Sequence, residues 1–111
     1  MNLPTDVIIA PEKLTAYLLT PRPTDDKSRY LAQVGFTLAN PDDLHAAILR
    51  LAAESEASED GSNEYGTFFR VAGDLVGPNG RRLPVVTIWL RWALDSSFRF
   101  VTLKPDRTRH P

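Results

Sequence analysis

The 111 residues carry 13 Lys and Arg against 14 Asp and Glu, are 42% hydrophobic and contain no cysteine. That size supports one compact domain with its own core. It excludes a disulfide framework, a thiolate nucleophile and Cys-based zinc sites, and no apolar run approaches the roughly 20 residues of a membrane helix. The formal charge of −1 conceals a division. Residues 1–65 have five cationic side chains against eleven carboxylates, a net −6, whereas residues 66–111 have eight against three, a net +5. A basic half offers a surface to an anion or to an acidic partner. The sequence pI of about 6.1 argues against indiscriminate nucleic-acid binding by the whole surface.

Val7–Ala10 reads as a short strand or an extended lead-in, too short for the apolar segment of a signal peptide and with no basic residues between it and Met1. The chain is therefore expected to be soluble and cytoplasmic. Pro11 suits a first helical position, and Leu14, Tyr17 and Leu18 follow at helical spacing until Pro21 and Pro23 stop the helix near Leu19. Thr24 as N-cap, with Asp25 and Asp26 in the first turn, predicts a second helix to about Val34 that buries Tyr30, Leu31 and Val34 and ends at a left-handed Gly35. Phe36 and Leu38 should then return to the core. Asn40-Pro41-Asp42-Asp43 is a cap, a proline and two acids, the start of a third helix with Leu44, Ala47, Ile48 and Leu51 as its stripe and an end near Ala57. Ser55–Asn63 is acidic, small and polar and reads as a mobile loop.

From Tyr65 the period becomes two. Phe69, Val71, Gly73 and Leu75 alternate with Phe68, Arg70, Ala72 and Asp74. Gly77-Pro78-Asn79-Gly80 is a hairpin, Arg82–Trp92 the longest strand, with Pro84 marking an edge or bulge, and Phe98–Leu103 a third strand. The expected fold class is α+β: three N-terminal helices packed on one face of a three- to four-stranded antiparallel meander, the fourth strand being Val7–Ala10. Residues 1–111 form a single domain in this reading, with a core over about 8–104 and a flexible tail at 105–111.

Alternation within the long strand should turn Val86, Ile88 and Leu90 toward the helices and Thr87, Trp89 and Arg91 away from them. An exposed tryptophan between threonine and arginine, with Arg70 beside it, is a platform for stacking a base and gripping a phosphate. The ordinary alternative for Trp89 is packing. Lys27, in the first turn of the second helix, opposes the helix dipole and suits a phosphate-holding or pKa-lowering role, or else is solvated. Glu64 beside Tyr65 pairs a base with a proton donor, or else Tyr65 packs while Gly66 eases the chain into its strand. His45 and His110 do not share a turn, so metal-ligand spacing is absent. No serine nucleophile motif, phosphate-cradling loop or dinucleotide fingerprint is present, and no metal or cofactor is expected.

The run Lys13-Leu14-x-x-Tyr17-Leu18-Leu19-x-Pro21 resembles the opening of a small bacterial domain family of unknown function. That family continues with a lysine-bearing helix ending in Leu-Gly-Phe or Leu-Gly-Tyr, here Lys27 to Phe36 with Val34 in place of leucine. Then come Glu64-Tyr65-Gly66, the hairpin Gly77-Pro78-Asn79-Gly80-Arg81, a Val-x-x-x-Trp strand (Val85 to Trp89) and a closing Arg99-Phe100-Val101-Thr102. The match spans about residues 8–104. Such domains stand alone and also resemble C-terminal modules of polymorphic toxins, and helices before a basic antiparallel sheet resemble the small ribonuclease toxins of the barnase, colicin and RelE type. The chain departs from a secreted toxin in its low pI and in showing no delivery region. The resemblance implies a metal-independent RNA-binding or RNA-cleaving domain, with Lys27, Glu64 and Tyr65 catalytic and Arg70, Thr87, Trp89 and Arg91 holding substrate. The alternative is a non-catalytic protein–protein interaction module of immunity-like type. RNA and a protein are thus the two partner classes, and a membrane is not one.

Overall fold

The structure is a computed structural model that describes residues 1–108. Helices α1 (Lys13–Leu18), α2 (Ser28–Ala32) and α3 (Pro41–Glu54) precede strands β1 (Ala57–Asn63), β2 (Gly66–Val76), β3 (Arg82–Trp92) and β4 (Phe98–Pro105). The strands form one antiparallel sheet in the order β1-β2-β3-β4, and the class is α+β. Val7–Ala10 supplies no full strand. Ile8 makes a single parallel bridge to Arg99 on the outer side of β4, with the Ile8 amide donating to Phe98 O and the Phe100 amide to Ile8 O, both at 2.8 Å. Among the described residues no helix is long and apolar enough to cross a membrane.

The helices form near their signals but not always by them. α1 is wound as a π-helix, with the Leu19 amide donating to Leu14 O. α2 begins later than the acidic turn implied, because Asp25 sits at φ 53, outside any right-handed helix. The N-cap position falls to Lys27, not Thr24, and Asp26 before it turns the chain into α2: its Oδ1 accepts from the Ser28 amide at 2.8 Å and the Ser28 hydroxyl at 2.6 Å. Gly35 terminates the turn at φ +98. Phe36 returns to the core, whereas Leu38 is 52% exposed. Asn40 precedes α3 but turns its amide group backwards, accepting from the Thr37 amide and donating to Gly35 O.

The segment expected to be a loop is strand β1, paired with β2 from Ala57–Val71 to Asn63–Gly66. Every β1 residue after Ala57 is exposed. An edge strand needs only backbone pairing to one neighbour, so a polar, acidic segment suffices, and its charges discourage further strand addition. Alternation of apolar residues cannot reveal such a strand.

The decisive register lies between β2 and β3. The hairpin places Leu75 opposite Leu83, Val71 opposite Thr87 and Phe69 opposite Trp89. Leu83, Val85, Thr87 and Trp89 therefore enter the core that Phe69, Val71 and Leu75 share with Leu14, Leu18, Leu31, Phe36, Leu44 and Ile48. Val86, Ile88 and Leu90 occupy the opposite face, the reverse of the expected orientation. α3 packs on β2, and α1 packs on α3 and β4. The base of the hairpin lies flush on the end of α2: a Cβ on Gly77 would stand 2.0 Å from Val34 O. At the C-terminus, part of the expected tail is ordered. Pro105 belongs to β4, and the buried Asp106 donates its amide to Pro84 O at 3.1 Å. Residues 109–111 lie outside the described residues.

Thr87 and Trp89 thus form a buried polar relay. The indole Nε1–H donates to Thr87 Oγ1 at 2.9 Å, and that hydroxyl donates to Val71 O at 2.9 Å. Thr87→Val keeps the shape but orphans both groups, which costs about 1–3 kcal/mol. Denaturant titration should show that loss, with Thr87→Ser retaining most of the wild-type stability.

Candidate functional site

The seven residues singled out from the sequence do not share a cleft. Trp89 and Thr87 are fully buried, so the Trp89 indole is not presented for stacking. Arg70 is exposed on the outer sheet face, opposite Ser58 and Ile88. Arg91 follows the alternation of Thr87 and Trp89, on the other face, with its guanidinium 5.9 Å from the Phe69 ring. Glu64 and Tyr65 make the β1–β2 turn, where Tyr65 is 56% exposed and edge-on to Trp92 at 6.3 Å. Lys27 is at the β4 side of the sheet, with β2 and β3 lying between it and β1. His45 is half-buried on α3, and His110 lies outside the described residues. Among the described residues no three His, Asp or Glu side chains gather as a metal-ligand set.

Lys27 is where chemistry concentrates. It is 8% exposed, an unusual state for a lysine. Its Nζ donates to Tyr17 Oη at 2.8 Å, to Asp25 Oδ2 at 3.2 Å and to Thr102 Oγ1 at 3.4 Å. The Tyr17 hydroxyl in turn donates to Asp25 Oδ2 at 3.0 Å. Arg22 stands with Cζ 4.7 Å from the Tyr17 ring centroid, a cation–π contact on the same side chain. One phenol, one carboxylate, one ammonium and one aliphatic hydroxyl therefore share a single hydrogen-bonded cluster.

Each member arrives by a local device. Tyr17 lies on α1 one turn before Pro21 breaks it. Positive φ at Asp25, a conformation Asp tolerates better than most residues, bends the chain so that both Asp25 and Lys27 point back at Tyr17. Thr102 follows a register shift in β4: Phe100 pairs with Trp89 and Thr102 with Ile88, leaving Val101 unpaired between them. Bulges of this kind re-aim side chains at the edge of a sheet. The Tyr17 and Lys27 hydrogen bonds, with the charge of Lys27, hold the Asp25 carboxyl below its ordinary value of 3.8. Asp25 is thus ionised across the neutral range, although its side chain is 62% exposed.

Of these residues only Lys27 was marked for chemistry in the sequence. Tyr17 and Thr102 stand in the motifs that carry the family resemblance, but Tyr17 matched a helical apolar stripe and Thr102 a strand. Asp25 read as a first-turn acid. The signal that would have joined them is the spacing Asp25-x-Lys27 after a proline-broken helix, which says nothing of a tyrosine and a threonine elsewhere in the chain.

Residues 2–107 match a family model described as a domain of unknown function, DUF6883. The chain belongs to that family. No curated protein gives a match. Among solved structures, a chain in a contact-dependent growth inhibition toxin–immunity protein complex from Klebsiella pneumoniae 342 superposes with a TM-score of 0.63 at 18% identity. The superposition covers 92% of this chain and 95% of that one. The likeness is one of fold, and it extends over nearly the whole domain.

The cluster has a definite pH signature. Because the folded carboxyl of Asp25 lies below the unfolded value, its contribution is fully present above 3.8 and is lost as pH falls through the lower folded value. Thermal melts of wild type and Asp25→Asn should therefore differ near neutral pH and converge in strong acid. Exposure and salt keep the difference small.

Proposed function

We propose that this domain binds and cleaves RNA without a metal, at the Lys27 cluster, as a toxin-type ribonuclease. The observation that carries the reading is a nearly buried ammonium in contact with a phenol and a carboxylate. That combination supplies both charge neutralisation and proton transfer for phosphodiester chemistry. The net +5 of residues 66–111 and the fold likeness to a chain from a toxin–immunity complex support it.

In the proposed reaction the ribose 2′-oxygen attacks phosphorus, the bond to the 5′-oxygen breaks, and a 2′,3′-cyclic phosphate forms. The proton leaving the 2′-hydroxyl is taken by the Asp25 carboxylate. The departing 5′-oxygen receives its proton from Tyr17. Lys27 neutralises the non-bridging oxygens of the five-coordinate phosphorus, and Thr102 holds Lys27 in place. In this scheme Tyr17 and Asp25 take the roles that the sequence assigned to Tyr65 and Glu64, because they are the residues in contact with Lys27. Arg70 remains available to an RNA strand on the outer face, whereas Thr87 and Trp89 act only as core.

Purified protein incubated with total RNA should yield fragments ending in cyclic phosphate. Lys27→Gln and Tyr17→Phe should each slow cleavage by about 10²-fold or more with circular dichroism unchanged. RNA left intact after prolonged incubation at high protein concentration would overturn the catalytic reading.

A second reading, a non-catalytic interaction module of immunity-like type, has one observation in its favour. The outer side of β1 is an edge that carries Glu59 and Asp60, exposed and suited to a basic partner surface. A stable stoichiometric partner from the native host, lost when Glu59 and Asp60 are changed to lysine, would favour it. A monomer with intact RNA-cleaving activity and no partner would count against it.

A further inference from the structure

A cleft of about 370 Å³ opens where α2, the β2–β3 hairpin and the end of β4 meet. We propose that it is a phosphate subsite, holding the neighbouring phosphodiester of the single-stranded RNA whose scissile bond lies at Lys27. The inference rests on the RNA reading and adds to it a second contact point for the strand.

Among the described residues three arginines line the cleft, Arg81 and Arg82 from the hairpin and Arg107 from the segment after β4, against one carboxylate, Asp106. That carboxylate is turned to internal duty. Asp106 is 7% exposed, and its Oδ1 accepts from the Thr108 amide at 3.1 Å and the Thr108 hydroxyl at 2.6 Å. Guanidinium groups outnumbering carboxylates in a concave site favour a phosphate, which they bind with two parallel hydrogen bonds each.

The walls are preorganised. Asn79 donates its side-chain amide to Gln33 O at 3.2 Å and its backbone amide to Val34 O at 3.4 Å, which fixes the hairpin against the end of α2. Gly77 permits that approach. Tyr30 donates its hydroxyl to Pro84 O at 2.5 Å, so its ring stands as a fixed wall. A rigid cleft loses little freedom when it takes a charged ligand.

Position relative to Lys27 makes the cleft more than a basic patch. Lys27 touches Thr102, which pairs with Ile88, whereas Pro105 of the cleft pairs with Val85, so these two β4 residues face opposite sides of the sheet and the connection runs over α2. On the helix side, Tyr30 follows Lys27 by three residues. That is about one helical turn, roughly 5 Å of rise, so an RNA strand passing over α2 reaches both points. Arg22 adds a second cation at the Tyr17 ring, which Lys27 also contacts.

The test uses a 2′-O-methyl RNA oligonucleotide, which cannot be cleaved, with fluorescence anisotropy over a range of salt. Arg81→Ala/Arg107→Ala should weaken binding about tenfold and lower the slope of log affinity against log salt by about 0.7, the value for one lost phosphate contact on a single strand. Lys13→Ala/Arg50→Ala, which removes two cations elsewhere, should leave the slope near wild type. Equal loss in both double variants, or no loss in the first, would overturn the subsite. The cleavage assay separates the two proposals. Binding lost in Arg81→Ala/Arg107→Ala while total RNA stays intact with wild type supports the subsite and rejects catalysis. Cleavage by wild type with unaltered binding in that variant keeps the catalytic reading and rejects the subsite.

Discussion

The register of the β2–β3 hairpin is the constraint on which the rest of the molecule depends. Gly77 brings the hairpin base against Val34 O, and Leu75 faces Leu83. From that pairing, side-chain alternation assigns every residue of the central strand to one face or the other, because a slip of one residue exchanges the two sets entirely. Trp89 and Thr87 go inside, where the indole donates to the Thr87 hydroxyl and that hydroxyl donates to Val71 O. Val86, Ile88 and Leu90 take the opposite face, where Val86 is nonetheless buried. The same hairpin carries Arg81 and Arg82 to the end of β4, so the charge distribution of the cleft follows from the packing of the core.

A second constraint acts at the opposite side of β3. β4 departs from regular pairing at Val101, and this one extra residue delivers Thr102 to Lys27. On the helical side, two prolines and a left-handed aspartate take the chain from α1 to α2 in a short connection. Both irregularities converge on one ammonium group. Burying a lysine is tolerable only when its charge is paired and its donors are satisfied, and Tyr17, Asp25 and Thr102 meet that condition. Local breaks in regular structure that meet at one polar cluster are a common form of functional site.

Much of the fold was legible from the chain. The starts signalled by Pro11 and Pro41, the stop at Gly35, the hairpin at Gly77–Gly80 and the extent of β3 all depend on short-range backbone preferences, and all appear. β1 was hidden because an edge strand exposed after its first residue has no apolar alternation. The start of α2 was misplaced because Asp25 and Asp26 are both acidic, and composition does not distinguish a residue in left-handed geometry from one that turns the chain into a helix. The orientation of β3 was reversed by three aliphatic residues. Val86, Ile88 and Leu90 look more like core than Thr87 and Arg91 do, yet hydrophobicity within one strand is a weaker constraint than register with the strand beside it.

The sequence by itself determined the class, α+β, the order of helices before strands and the segregation of charge, whereas Lys27, expected in a first helical turn, precedes α2. These rest on composition and on periods of a few residues, which need no knowledge of distant neighbours. Only the tertiary structure decided which face of β3 is covered, that Tyr17 and Thr102, 85 residues apart, meet at Lys27, and that Arg107 joins the hairpin arginines in one cleft. Such meetings depend on strand register and on a single bulge, which are properties of paired backbones and not of any segment read alone.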